Sequence, residues 1–418
     1  MKSSKLKSTA TLLVIVAMWL ALFLPLATMG TASASTKINE YPVPTLGSDP
    51  HGITAGPDGA LWFTEEGVNK IGRITTSGSF TEYTAPTSNS WPYGITAGPD
   101  GALWFTEKNV GRIGRVTTSG KITEYMIPTS NSGSNCITAG PDGALWFTEG
   151  DGNRIGKVTT SGSFTEYPIP TMLSKPYGIT AGPDGNLWFA EFYGNRIGKV
   201  TTSGSFTEYP IPTMLSKPYG ITAGPDGNLW FTEYAEYYGN KIGRITTSGS
   251  FTEYPIPTSG SKPYGITAGP DGNLWFAEVL GNKIGRITTS GSFAEYSVPT
   301  SGSEPVGISA GPDGSIWFTE WTGNNIGKLS LNPTITTRNT SPRANPSHGI
   351  LRPWVLANSP LVQCFPGGGC IKPFYLFGNF CYLLRGMCEN TGSSCFLRLY
   401  AWLGGRGLGA CIRQFSVS

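Results

Sequence analysis

Hydrophobic and polar positions along this chain fall into short runs of four to seven residues, each bounded by turn signals. Leu103-Trp104-Phe105-Thr106 is apolar on both faces, as a strand sandwiched between neighbours would be. Before it lies Tyr93–Ala97, and a Gly-Pro-Asp-Gly turn separates the two, with Pro presetting φ and Asp and Gly suiting the later positions. An Asn-Lys-Ile-Gly-Arg-Ile-Thr-Thr run then predicts a third strand, and Ser-Gly turns it into a fourth. The pattern recurs seven times: its Pro-Asp-Gly begins at Pro57, Pro99, Pro141, Pro183, Pro225, Pro270 and Pro312, in steps of 42 residues except one of 45. Strand-rich units at this period are the signature of a β-propeller. The predicted fold is all-β, a seven-bladed propeller of four-stranded blades spanning 36–332.

The fourth strand, Phe164 to Pro170, carries prolines at 168 and 170, whose missing N–H groups lie on one side. Only a sheet edge tolerates that, so this strand is the outermost of its blade. The seventh unit has three strands and then Leu331-Asn332-Pro333. Its missing fourth strand lies at the other end of the chain, as Ile38 to Pro44. The N-terminal segment 36–45 is therefore expected to pair near Asn325–Ser330 and close the ring.

Features common to all blades describe the scaffold. Seven tryptophans, Trp62 to Trp317, read as packing between blades. Seven glutamates end the second strands (Glu65, Glu107, Glu149, Glu191, Glu233, Glu278, Glu320), and a basic residue follows each Ile-Gly, as in Arg73, Arg115 and Lys157. Regular ion pairs between these glutamates and bases are expected, each worth little. The Asp of Pro-Asp-Gly reads as a turn former.

The 57 glycines and 32 prolines recur at fixed places in the repeat, so they are turn chemistry and not disorder. Residues 333–418 hold eight Arg or Lys against one acid, Glu389, which leaves the repeats mildly acidic. Without a basic stripe, nucleic acid is excluded as a partner. Lys2, Lys5 and Lys7, the apolar run Leu12–Leu26 and Ala32-Ser33-Ala34 form a signal peptide over 1–34, implying a secreted protein with no other membrane contact. Six of seven cysteines lie in the 333–418 tail, which shares nothing with the repeats and reads as a poorly ordered extension; no Cys-x-x-Cys pair suggests zinc.

Chemistry is sought where one blade differs. The residue opening the first strand is Tyr in four units, Cys136 and Val306 in two, and His51 in the first, preceded by Asp49-Pro50. The residue after the strand-ending Glu is irregular too: Glu66, Lys108, Gly150, Phe192, Tyr234, Val279 and Trp321. Asp49, His51 and Glu66 are thus three polar departures in one blade, suited to a hard divalent cation with a base. The bland alternative is that blade one is irregular because it helps close the ring, with His51 at the rim.

The repeated Gly-Ile-Thr-x-Gly-Pro-x-Gly-x-Leu-Trp-Phe-Thr-Glu and Asn-x-Ile-Gly-Arg-Ile-Thr phrases resemble the streptogramin B lyases (virginiamycin B lyases) over about residues 36–330. The resemblance implies a seven-bladed propeller that opens cyclic depsipeptides by Mg2+-dependent elimination across the ester C–O bond. It also implies a Glu-Pro-His-Gly-Ile phrase in the last blade, a His one blade earlier and a later Glu. Here Glu304-Pro305-Val306-Gly307-Ile308 keeps the carboxylate but has Val for His, Tyr264 stands for the second His, and Trp321 for the later Glu. The first unit is nearer the pattern, with Asp49-Pro50-His51-Gly52-Ile53 and Glu66. On this mapping His51 is the base, and Asp49 and Glu66, with Glu304, are the Mg2+ ligands.

Two function classes follow: a Mg2+-dependent lyase acting on a cyclic depsipeptide, or a non-catalytic secreted propeller binding a peptide, glycan or protein on its end face, a monomer in either case. A lactonase-like hydrolase would need a channel set of Glu, Asn and Asp that the sequence does not supply.

Overall fold

The apolar second strand of each repeat is what the ring buries. Leu103, Trp104 and Phe105 are fully inaccessible to solvent, as are their counterparts in the other blades. The computed structural model describes residues 37–331 and, beyond them, short strands between 363 and 417; the signal segment lies outside the described residues. Seven four-stranded antiparallel sheets follow one another, six of them ordered inner, second, third and outer strand in chain sequence. In blade one these are Pro50–Ala55, Leu61–Glu65, Lys70–Ile74 and Phe80–Thr84. Gly72 lies flat under Phe63, whose ring a Cβ at that position would strike.

Blade seven supplies Pro305–Ala310, Ile316–Glu320 and Asn325–Leu329, and its outer strand is Ile38–Pro42. The closing register runs antiparallel from Ile38 opposite Leu329 to Pro42 opposite Asn325. Ring closure by the N-terminal strand is as expected, and the proline-bearing strands are the outermost ones.

The tryptophans pack between blades. Trp62 joins Ile95, Leu103, Phe105 and Val116 of blade two. Fully burying one such large apolar side chain contributes about 1.5–3 kcal/mol. Trp62 also stacks on Tyr83 at 5.6 Å and donates its indole N–H to Asp58 Oδ1 at 3.0 Å.

The expected ion pairs between the strand-ending glutamates and the Ile-Gly bases do not form. Arg73 pairs instead with the turn aspartate Asp58 (2.6 Å), and Arg115 and Lys157 do the same with Asp100 and Asp142. Register decides this, because Arg73 sits opposite Trp62 at the far end of the strand from Glu65. The seven glutamates are fully buried, and burial pushes Glu65 up to about 8 and Glu320 to about 7.

A second unit, Arg338–Ser418, contains six short strands in one sheet, from Gln363–Phe365 to Cys411–Val417. No helix among the described residues is long and apolar enough to cross a membrane.

Candidate functional site at the channel mouth

Every inner strand starts at the same end of the ring, beside the end of the second strand: Pro50 lies opposite Glu65, and Ile53 opposite Phe63. The register shift between them is a bulge at His51-Gly52, and each blade repeats it. Bulges re-aim side chains, and here the strand-opening residues meet on the axis. His51 Nε2 lies 2.9 Å from the Tyr264 hydroxyl, which lies 2.7 Å from that of Tyr93. The Tyr219 hydroxyl bonds to both tyrosines. Tyr93 and Tyr219 belong to blades two and five, which are not neighbours, so their contact crosses the channel. The His51 ring stacks on Tyr93 at 3.8 Å. Together these rings close the channel with an aromatic floor. A cavity of about 180 Å3 on the axis is lined by them and by the Gly-Ile pairs that follow in six of the strands; in blade three the strand-opening position belongs to Asn135 and not, as expected, to Cys136, which takes the place of that Gly.

Burial lowers the His51 pKa to about 3, and the Lys108 charge pushes the same way, so the imidazole is neutral. Its Nδ1 is buried and finds no partner among the described residues. Burial likewise raises the Tyr93 and Tyr219 hydroxyls well above their ordinary value and pushes the Cys136 thiol up to about 12.

Glu66 opens a short 3-10 turn, Glu66–Val68, at the mouth. Burial raises its pKa, with Lys108 opposing and Asp49 adding to the rise. Asp49 has a left-handed φ of 47°, and its carboxylate lies against Gly67. Lys108, from the matching loop of blade two, holds its ammonium 4.1 Å from the centre of the Tyr93 ring; burial lowers its pKa, and Glu66 opposes that most. Glu304 sits at the start of blade seven with φ 54°, its carbonyl accepting the Trp321 N–H at 3.0 Å.

His51 is thus placed in the floor, and Asp49 and Glu66 share the mouth above blade one. Among the described residues, no group of three or more His, Cys, Asp or Glu side chains is disposed to hold a metal. Asp49, Glu66 and Glu304 are not gathered into one such group, although Mg2+ is commonly held by only one or two carboxylates with waters and substrate oxygens. Lys108 is the functional candidate that sequence reasoning passed over. The available signal was its place in the irregular position after the strand-ending Glu, where it is the one cation among the seven.

A ring closed by its own N-terminal strand, with polar side chains gathered where the inner strands begin, defines a seven-bladed propeller with an end-face site. The chain belongs to the Virginiamycin B lyase family, whose model matches residues 14–238 and 234–353. A solved virginiamycin B lyase from Staphylococcus aureus is 45% identical, with a TM-score of 0.68 over 71% of this chain and 99% of that one. A catalytically inactive histidine-to-alanine variant of the Staphylococcus aureus enzyme, solved with quinupristin, is 44% identical at the same TM-score, over 71% of this chain and 99% of that one. A virginiamycin B lyase of Bacillus licheniformis is 49% identical over 42 residues, a stretch spanning 10% of this chain and only 14% of that relative.

Proposed function

We propose that the protein is an exported carbon–oxygen lyase of the streptogramin B type, acting on a cyclic depsipeptide laid across the channel mouth. The observation that carries this reading is the placement of two partly buried, oppositely charged side chains, Glu66 and Lys108, at the mouth of a propeller from a lyase family, near enough to influence each other's charge without forming an ion pair. Elimination needs a base for the acidic C–H and positive charge at the departing carboxylate. Burial moves both pKa values toward neutrality, which suits proton transfer. Glu66 takes the proton, the C–H electrons form the new C=C bond, and the C–O bond breaks with its electrons leaving on the carboxylate. The Lys108 ammonium receives that carboxylate. The ring opens without consuming water, and no step is routed through a metal.

His51 is a weak base here, because its conjugate acid forms only near pH 3. Its role in this reading is positioning: it bonds Tyr264 and stacks under Tyr93, the ring on which Lys108 rests.

The second reading, a non-catalytic binding propeller, is favoured by one observation: His51, the base expected from the sequence, is buried in the floor with its Nε2 engaged by the Tyr264 hydroxyl. One experiment separates the two. The protein is incubated with a streptogramin B depsipeptide, with Mg2+ or with chelator, and the products are followed by chromatography and mass spectrometry. A lyase gives a linear product of unchanged mass, lost in Glu66→Gln. A ligand-dependent rise in Tm without product identifies the binding propeller, and a product heavier by one water refutes elimination.

A further inference from the structure

Six of the seven blades share a device that the second blade lacks. Just before the third strand, Asn69, Asn153, Asn195, Asn240, Asn282 and Asn324 adopt left-handed φ values between 49° and 60°. Each accepts on its Oδ1 the N–H and the hydroxyl of a buried serine in the linker to the next blade, as Asn69 does from Ser90 at 2.8 and 2.6 Å. Each also donates its Nδ2 to one or two carbonyls of the same linker, in blade one those of Ala85 and Thr87. Blade two has Gly111 at this position, with a φ of 61° and no side chain to make the tie. Ser132 Oγ lies 3.6 Å from where a Gly111 Cβ would stand. Ser132 is fully buried, and its hydroxyl finds no partner among the described residues.

The segment that follows departs from its counterparts in the same direction. Ser134 stands where every other inner strand opens with proline, and so lacks that ring's restraint on φ. Asn135 replaces a residue that is tyrosine in four blades, and Cys136 replaces glycine. Ser134 Oγ and Asn135 Oδ1 are buried without partners among the described residues, while Asn135 keeps one bond, from Nδ2 to the Pro176 carbonyl at 2.9 Å. Upstream, Thr129 is latched to Glu166 at 3.0 Å, as its counterparts are to theirs. The stretch is therefore anchored at Thr129 and short of side-chain ties from Ser132 onward. Buried polar groups without partners are costly, and exposure to water relieves that cost.

We propose that residues 130–136 form a gate between the mouth and the axial cavity, hinged at Thr129 and opening at the seam of blades two and three. Cys136 lines that cavity, and the floor that caps it is made of His51 and tyrosines from blades one, two, five and six. Blade three adds no ring to it. On the mouth side, the Lys108 ammonium lies 4.1 Å from the Tyr93 ring centre and 5.9 Å from that of Tyr177, the strand-opening rings on either side of blade three. Gly150 follows the strand-ending Glu of blade three, and a Cβ there would lie 2.5 Å from Asn135 Nδ2, so this blade places no side chain over the segment. An outward swing hydrates Ser132, Ser134 and Asn135 and opens a path beside Lys108 for water or a small solute. The gate stands independently of whether elimination takes place at the mouth.

Cys136 is the propeller's own reporter, since the other six cysteines lie at 364 and beyond. The full chain is treated with N-ethylmaleimide, and labelling of Cys136 is followed by peptide mass spectrometry, alongside hydrogen exchange of residues 127–136 and of their counterparts 169–178. Wild type is expected to exchange faster in the first segment than in the second. Gly111→Asn restores the tie at a φ that asparagine accepts, and should slow both that exchange and Cys136 labelling by roughly tenfold while raising Tm. Asn153→Gly removes the tie between blades three and four, and should speed exchange at 169–178. Equal exchange of the two wild-type segments overturns the proposal, as does no change at 169–178 in Asn153→Gly. So does Cys136 labelling that Gly111→Asn leaves unaltered, which would mean that the thiol is reached from the other end of the channel.

Discussion

Thr300 donates both its backbone N–H and its hydroxyl to the carboxylate of Glu40, at 2.8 and 3.0 Å, across 260 residues of sequence. The same latch recurs at every blade junction, from Thr45 on Glu82 to Thr258 on Glu295. At the Glu40 junction it is also what ties the N-terminal strand to blade six. Hydrogen bonds to a charged acceptor contribute about 1.5–3 kcal/mol. Glu40→Ala is expected to lower unfolding stability by about 2 kcal/mol in urea titration. Deleting 36–45 should remove cooperative unfolding altogether.

The buried glutamates set a pH dependence. Burial raises Glu65, Glu107, Glu149, Glu191 and Glu233 to about 8, and Glu278 and Glu320 to about 7, from an ordinary 4.5. Between these values the folded chain holds protons that the unfolded chain has released. Stability therefore falls as pH rises from about 4.5 to 8. Glu107→Gln removes one such group. Its stability-versus-pH slope should be shallower than wild type, and at pH 8 it should be the more stable of the two by urea titration.

Tyr264→Phe would strip one hydroxyl from the channel floor and leave His51 Nε2 and the Tyr93 hydroxyl short of a buried partner. The expected cost is about 1–3 kcal/mol. Thermal unfolding checks this, and Tyr177→Phe serves as the control, since its hydroxyl stands outside that network.

Lys108→Met removes the charge that holds Glu66 down and helps to hold His51 low. The Glu66 carboxyl should then titrate higher than in wild type, and the His51 imidazole should rise from about 3. Carbon-13 NMR titration of the two side chains measures both. Unmoved values would separate Lys108 electrostatically from the mouth.

The scaffold was legible because its signals are local. Gly-Pro-Asp-Gly dictates a turn, paired prolines dictate an edge, and the absent fourth strand of blade seven has a matching run at Ile38–Pro42. The partners of Glu65 and Arg73 were not legible. Strand spacing alone does not say that Arg73 lies beside Asp58 at one end while Glu65 is buried at the other. The candidate site was half legible. His51 stood out by residue type, but the floor it joins is built from side chains of blades one, two, five and six meeting on the axis. Lys108 was visible as a letter, and its meaning came only from its place over Tyr93.

Closure by the first strand has a consequence for synthesis. Ile38–Pro42 is among the earliest of the ring to leave the ribosome, yet its partner Asn325–Leu329 is among the last. Until that partner arrives, blade seven lacks its edge and the circle stays open, whatever the earlier blades have done. Long-range pairing of this kind is slow and exposes unpaired strand edges meanwhile. The final folding event is thus the joining of the two ends, and a chain truncated before Leu329 has no way to perform it.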